Sequence, residues 1–363
     1  MRALLALVAL LSLAACKAPQ PAPVRWSMAS PGLSHPSDLF TVRLLEVDAE
    51  GHAKDPAQLA AVEAAADKAE DAFLFIHGWR RDASSLGAME AFLQIYREAF
   101  DCLAGRDVEG TSDCAATHAY CHAEKAQSKL VVLVLWDARS SILGFRDTQK
   151  RAGVIGEGGL LELLRDIHGR IRSRGTFFAV GHSLGASALM ASLQKASMQG
   201  ALPVDGALLL MGAFDRAPLD LRPAPGGGAV ILNLFNRRDG YLRLYRWAWR
   251  HPAAGERGLS DVPVTKGETW ETEGGACGQN EATYGASLLD LGRSYTLPMG
   301  QRLEALNVDI TQLVNGHVDI ERLPAIRLYH RVMAEMIFRV LWDRLEAEPG
   351  AKTSGRLELQ QVR

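Results

Sequence analysis

The chain has 363 residues, 48% hydrophobic and 23% charged, enough for one large domain with a sizeable core or for two modest ones. Its 40 basic and 42 acidic residues leave a formal charge of −2, and no run of like charges is long enough to serve as a binding tail. Composition therefore argues against a nucleic-acid partner.

The first element reads as a leader. "MRALLALVALLSLAAC" sets one positive charge before an apolar stretch that ends at Cys16, too short for a bilayer span and patterned as a signal peptide. Its last residues, Leu13-Ala14-Ala15-Cys16, resemble the bacterial lipobox, where small residues admit the signal peptidase and the cysteine thiol carries a diacylglycerol. That resemblance implies a signal peptide over 1–15 and a lipidated Cys16. It also implies a membrane anchor in the bacterial cell envelope, at the outer membrane facing the periplasm if the cell is Gram-negative. Ordinary cleavage with Cys16 free or paired is the alternative. Residues 16–37, rich in proline and polar residues, read as an extended tether. No later stretch approaches the roughly 20 apolar residues that a spanning helix needs.

From there apolar, strand-like runs occupy 39–47, 72–78, 129–137, 176–183, 206–215, 229–239 and 303–311. Helical patterns lie between several of them; the clearest spans 157–175, with leucine and isoleucine at helical spacing and a closing Gly175. This alternation predicts an α/β fold over 38–345: a mostly parallel central sheet with helices on both faces. Residues 101–128 interrupt the rhythm as an ordered excursion carrying Cys102, Cys114 and Cys121. With Cys277 these make an even set in a chain read as exported, so two disulfides are expected, with all three pairings open. A zinc site is the weaker alternative: His118 and His122 flank Cys121, but no Cys-x-x-Cys pair is present. Residues 241–300, with Trp247, Trp249, Trp270 and many glycines, show little regular period and read as an irregular excursion or cap. The tail, 346–363, is polar and reads as flexible.

The stretch "FFAVGHSLGASALM", 177–190, places Ser183 between Gly181 and Gly185 where an apolar run gives way to a helical pattern. A serine at a sharp strand-to-helix corner exposes its hydroxyl at the carboxyl end of the sheet, and small neighbours make the corner possible. The following helix aims its first N–H groups at the place where an oxyanion would form. A hydroxyl needs a base to take its proton and a carboxylate to orient that base, in the chain order serine, acid, histidine for this architecture.

Together "FIHGWRRD", "VGHSLGAS", "NLFNRRDGYL" and "VNGHVDI" resemble the α/β-hydrolase superfamily over roughly 39–340, and the whole is similar to a poorly characterised group of bacterial α/β hydrolases. The resemblance implies that His317, in a loop beyond the last strand-like run, is the base. His330 sits in a helical pattern, while His168 and His251 look exposed. The resemblance also implies that the acid is Asp239, after the penultimate run, where the family most often carries it, with Asp215, one run earlier, as the alternative. Oxyanion donors would be the backbone N–H groups of Leu184 and Trp79, with His77 and Gly78 shaping the second loop. His182, beside the serine, reads as a structural histidine pointing toward the sheet.

These readings converge on a serine hydrolase, esterase- or lipase-like, cleaving a carboxylic ester or related acyl bond of a small-molecule or lipid substrate. It would need no metal and no organic cofactor; no Gly-x-Gly-x-x-Gly or P-loop is present. A membrane-tethered, catalytically inactive binding module on the same fold is the alternative.

Overall fold

The computed structural model describes residues 33–34, 40–79, 129–171, 175–222, 228–262, 264–266, 293–297, 301–311 and 316–317. The leader, most of the tether, all five cysteines, His330 and the tail lie outside the described residues.

All seven apolar runs form strands: β2 (Phe40–Glu46), β3 (Asp71–Ile76), β4 (Lys129–Leu135), β5 (Phe177–His182), β6 (Gly206–Leu210), β7 (Gly228–Phe235) and β10 (Gln301–Asp309). Three short strands join them: β1 (Leu33–Ser34), β8 (Val264–Lys266) and β9 (Arg293–Leu297). Among the described residues they make one sheet in the order β1-β2-β4-β3-β5-β6-β7-β10-β8, with β9 paired to β10. Among the strand pairs of the described residues, only β1–β2 and β9–β10 are antiparallel. The fold is α/β, with a mostly parallel sheet and helices packed against it.

Every residue of β3, β4, β5 and β6 is buried. Because successive side chains of a strand point to opposite faces, unbroken burial means that both faces of the sheet's centre are covered. This explains why these strands read as continuous apolar runs instead of alternating ones.

The helices are α1 (Pro56–Ala66), α2 (Phe145–Ile155), α3 (Leu161–Ile171), α4 (Leu184–Met198), α5 (Gly240–Trp249) and the single turn α6 (Ala254–Arg257). At the start of α1, Asp55 accepts a hydrogen bond from the Ala57 N–H at 2.8 Å while Pro56 fills the first helical position, where its missing N–H is no loss. The helix expected over 157–175 is α3, preceded by a π-helical segment, Gly156–Leu160, in which Gly158 leaves helical geometry.

The irregular reading of 241–300 is corrected over its first part. Leu242, Tyr245 and Trp249 recur at i, i+3 and i+7 on α5, with Leu242 and Tyr245 buried. Beyond α6, β8 pairs in parallel with β10, and β9 pairs with β10 from the other direction. These pieces are built into the sheet and its covering layer. Residues 267–292 lie outside the described residues.

The two ends of the sheet are chemically distinct. At the amino end, Asp71 and Lys129 open adjacent strands in direct register and form an ion pair with side chains 3% and 6% exposed. The other Asp71 oxygen accepts from the Thr176 N–H at 2.6 Å and the Thr176 hydroxyl at 2.7 Å, tying in the start of β5. At the carboxyl end the strands deliver Ser183, Asp239 and the loops around them.

Candidate active site

Ser183 follows the last residue of β5 and precedes α4, at φ 56° and ψ −116°, in the left-handed half of backbone space that L-residues rarely adopt. The surroundings hold it there. Its N–H donates to the Leu210 carbonyl at 2.9 Å, and its own carbonyl accepts from the Ala213 N–H at 3.0 Å and the Ser187 N–H at 3.3 Å. Side chains at the flanking glycines would collide with backbone: a Cβ on Gly181 would lie 2.5 Å from Ala186 Cα, and one on Gly185 would lie 2.1 Å from the Ile76 carbonyl oxygen. The elbow therefore needs both glycines for space.

The Ser183 hydroxyl donates to His317 Nε2 at 2.7 Å, and His317 Nδ1–H donates to Asp239 Oδ2 at 2.5 Å. All three residues are buried, Asp239 completely. Asp239 follows β7 as the N-cap of α5, and its second oxygen accepts from the Tyr241 and Leu242 N–H groups at 2.9 and 3.0 Å. One oxygen thus anchors the carboxylate to the helix start while the other orients the imidazole, fixing the tautomer that leaves Nε2 free to accept the serine proton. The Tyr241 ring lies beside the imidazole, centroids 5.4 Å apart.

Asp215 sits elsewhere. Its carboxylate accepts from the Tyr245 hydroxyl, lies 3.6 Å from His251 Nε2 and is 65% exposed. Burial, followed by the hydrogen bond to Asp215 and then its charge, pushes the Tyr245 hydroxyl far above its usual range. The two candidate acids are therefore separated by geometry: only Asp239 bonds His317.

In the loop after β3, Trp136 N–H donates to His77 Nε2 at 3.2 Å, so His77 Nδ1 carries the proton and donates to the Gly78 carbonyl at 2.9 Å. Gly78 lies so close to the elbow that a Cβ there would be 2.7 Å from Ser183 Cβ. Trp79 is half-buried; its indole N–H donates to Ser140 Oγ at 2.7 Å, and its ring meets Phe145 and Tyr241 edge-on at 5.2 and 6.5 Å. Leu184 opens α4, whose N-cap Ser183 makes no side-chain cap. Leu184 thus follows Ser183 directly at the start of α4, and the Gly78 backbone lies against the Ser183 side chain.

Two histidines differ from expectation. His182 does not point into the sheet; its Nε2–H donates to the His317 carbonyl at 3.0 Å. His168 is half-buried against Phe177 because α3 presses it onto β5, whereas His251 is exposed as expected. Tyr241, Ser140 and the His182 contact had no signal in the sequence beyond adjacency to a motif, because each depends on a partner far along the chain.

No protein-family model and no curated protein matches the chain. Among solved structures, it is similar to a Xanthomonas campestris pv. campestris protein described as an inferred hydrolase of the alpha/beta superfamily. Identity is 15% and the TM-score 0.26, covering 72% of this chain and 97% of that one. The fold assignment rests on the strand order and register given above.

Proposed function

We propose that the protein is a serine hydrolase that cleaves a carboxylic ester or related acyl bond through an acyl-enzyme. The observation that carries this reading is the continuous chain Ser183–His317–Asp239, with bonds of 2.7 and 2.5 Å and a serine held at positive φ. His317 takes the Ser183 proton as the oxygen attacks the acyl carbon, and the backbone N–H groups of Leu184 and Trp79 receive the charge on the carbonyl oxygen. The imidazolium, steadied by Asp239, then protonates the leaving alkoxide. Water repeats the cycle: His317 deprotonates it, it displaces Ser183 from the acyl group, and the proton returns to the serine. Tyr241 beside His317, with Trp79 edge-on to it, puts aromatic surface next to the triad, which favours an apolar group on the substrate.

A purely binding role on this fold would not require the complete relay. The test is labelling of the folded protein with a fluorophosphonate. Wild type should label, Ser183→Ala should not, and His317→Ala should turn over on the order of 10⁴- to 10⁶-fold more slowly. An unlabelled wild type sinks the reading.

Anchoring to the cell envelope through Cys16, with a lipid or small-molecule ester as substrate, remains part of the proposal and rests on the leader pattern. A radiolabelled fatty acid fed to expressing cells should enter the wild type and not Cys16→Ala. Equal incorporation would remove the lipidation.

A further inference from the structure

Resting on the serine-hydrolase reading, we propose that His182 is a positioning residue that holds the backbone of the base against the nucleophile's own strand. Three contacts converge on its ring. Its Nε2 lies 3.0 Å from the His317 carbonyl oxygen, and because a carbonyl only accepts, Nε2 must carry the proton. Its ring centroid is 5.0 Å from that of His317. On another side it presses on the loop after β3: a Cβ on Gly78 would lie 3.1 Å from His182 Nδ1. The imidazole therefore touches the His317 loop and the Gly78 loop, while its main chain leads directly into Ser183.

The anchor itself is rigid. His182 is the last residue of β5, in register with Leu210 on β6, and is only 8% exposed. The His317 ring is oriented by Ser183 and Asp239, but those bonds fix the ring and not the main chain that carries it. Across 135 residues of sequence, His182 supplies that third point of attachment. Catalysis by a general base depends steeply on placement, and a displacement of about 1 Å costs on the order of 10²-fold in rate. A histidine that merely packed beside the elbow would need no donor aimed at a carbonyl.

The experiment compares wild type with His182→Leu, which keeps bulk without a donor, and His182→Gln, whose side-chain amide can reach the same carbonyl. Steady-state hydrolysis of p-nitrophenyl butyrate is measured beside thermal unfolding. His182→Leu should lower kcat on the order of 10²-fold with KM changed less than about 3-fold, and His182→Gln should recover most of that loss. Fluorophosphonate should still label His182→Leu to full stoichiometry, only more slowly. If His182→Leu does not fold, His182→Gln is compared with His182→Asn, whose shorter amide stops short of the carbonyl. A clear advantage for glutamine supports the role, and equal rates overturn it. A folded His182→Leu with wild-type kcat overturns it as well, while leaving the hydrolase reading intact. A wild type that does not label with fluorophosphonate fails the hydrolase reading and this one with it; where the ester is turned over too slowly, the same comparison of variants is made on labelling rates.

Discussion

Asp239 performs two jobs with two oxygens, and the chemistry of its replacements separates them. Asparagine still caps α5, since its side-chain oxygen can accept from the same N–H groups at 2.9 and 3.0 Å, but it carries no charge to orient and stabilise His317. Asp239→Asn should therefore unfold close to wild type yet lose on the order of 10⁴ in kcat. Asp215→Asn keeps a partner for the Tyr245 hydroxyl, and Asp239 is the carboxylate that bonds His317, so the variant's turnover should stay within about 3-fold of wild type. Ester hydrolysis by both variants, measured beside their melting curves, checks this; a larger loss for Asp215→Asn would reverse the assignment. The serine itself was legible because the demands of an elbow are local: an apolar strand, small residues on either side, then a helix. Its partners were legible only as candidates, since a carboxylate follows each of two late strands, β6 and β7, and nothing in either stretch says which one faces His317.

At the scale of elements, the amino end of the sheet is held by a buried charge pair. Lys129→Met leaves the Asp71 carboxylate buried with the Thr176 donors as its remaining partners among the described residues, and it should lower unfolding free energy by about 3–5 kcal/mol. The double change Asp71→Asn with Lys129→Met should recover part of that loss. Denaturant midpoints give the measurement, and a single variant as stable as wild type would show that the pair contributes little. The fraction that remains folded should keep wild-type kcat, because Ser183 sits at the opposite end of β5. Long strands were legible for the reason that makes them central: covered on both faces, they are apolar at every position. Short edge strands such as β8, three residues long, carry no such signature. Arginines and exposed Trp247 masked α5, whose buried stripe shows only when counted at helical spacing.

Across the whole molecule, Glu256 links stability to pH. It is 1% exposed, bonds Arg246 at 3.0 Å through one oxygen, and leaves the other without a hydrogen-bond partner among the described residues. Burial pushes its carboxyl above the usual 4.5, against the pull of Arg246 and Arg257, and the Asp239 charge adds to the rise. The folded chain thus holds this proton more tightly than the unfolded one. Its contribution to stability is largest below the unfolded value and declines as pH rises through the raised folded value. Glu256→Gln cannot lose a proton, so the Tm of the variant minus that of wild type should grow more positive from about pH 4 to about pH 8. Parallel profiles would refute the linkage. What the sequence by itself determined is the set of features written over a few consecutive residues: seven strands, their alternation with helices, and a serine at a glycine-flanked corner. Only the tertiary structure decided which carboxylate meets His317 and that His182 holds its carbonyl, across separations of 78 and 135 residues. The reason is physical: periodicity and turn chemistry act between near neighbours along the chain, whereas those contacts exist only once the parallel sheet has brought distant strand ends to the same edge.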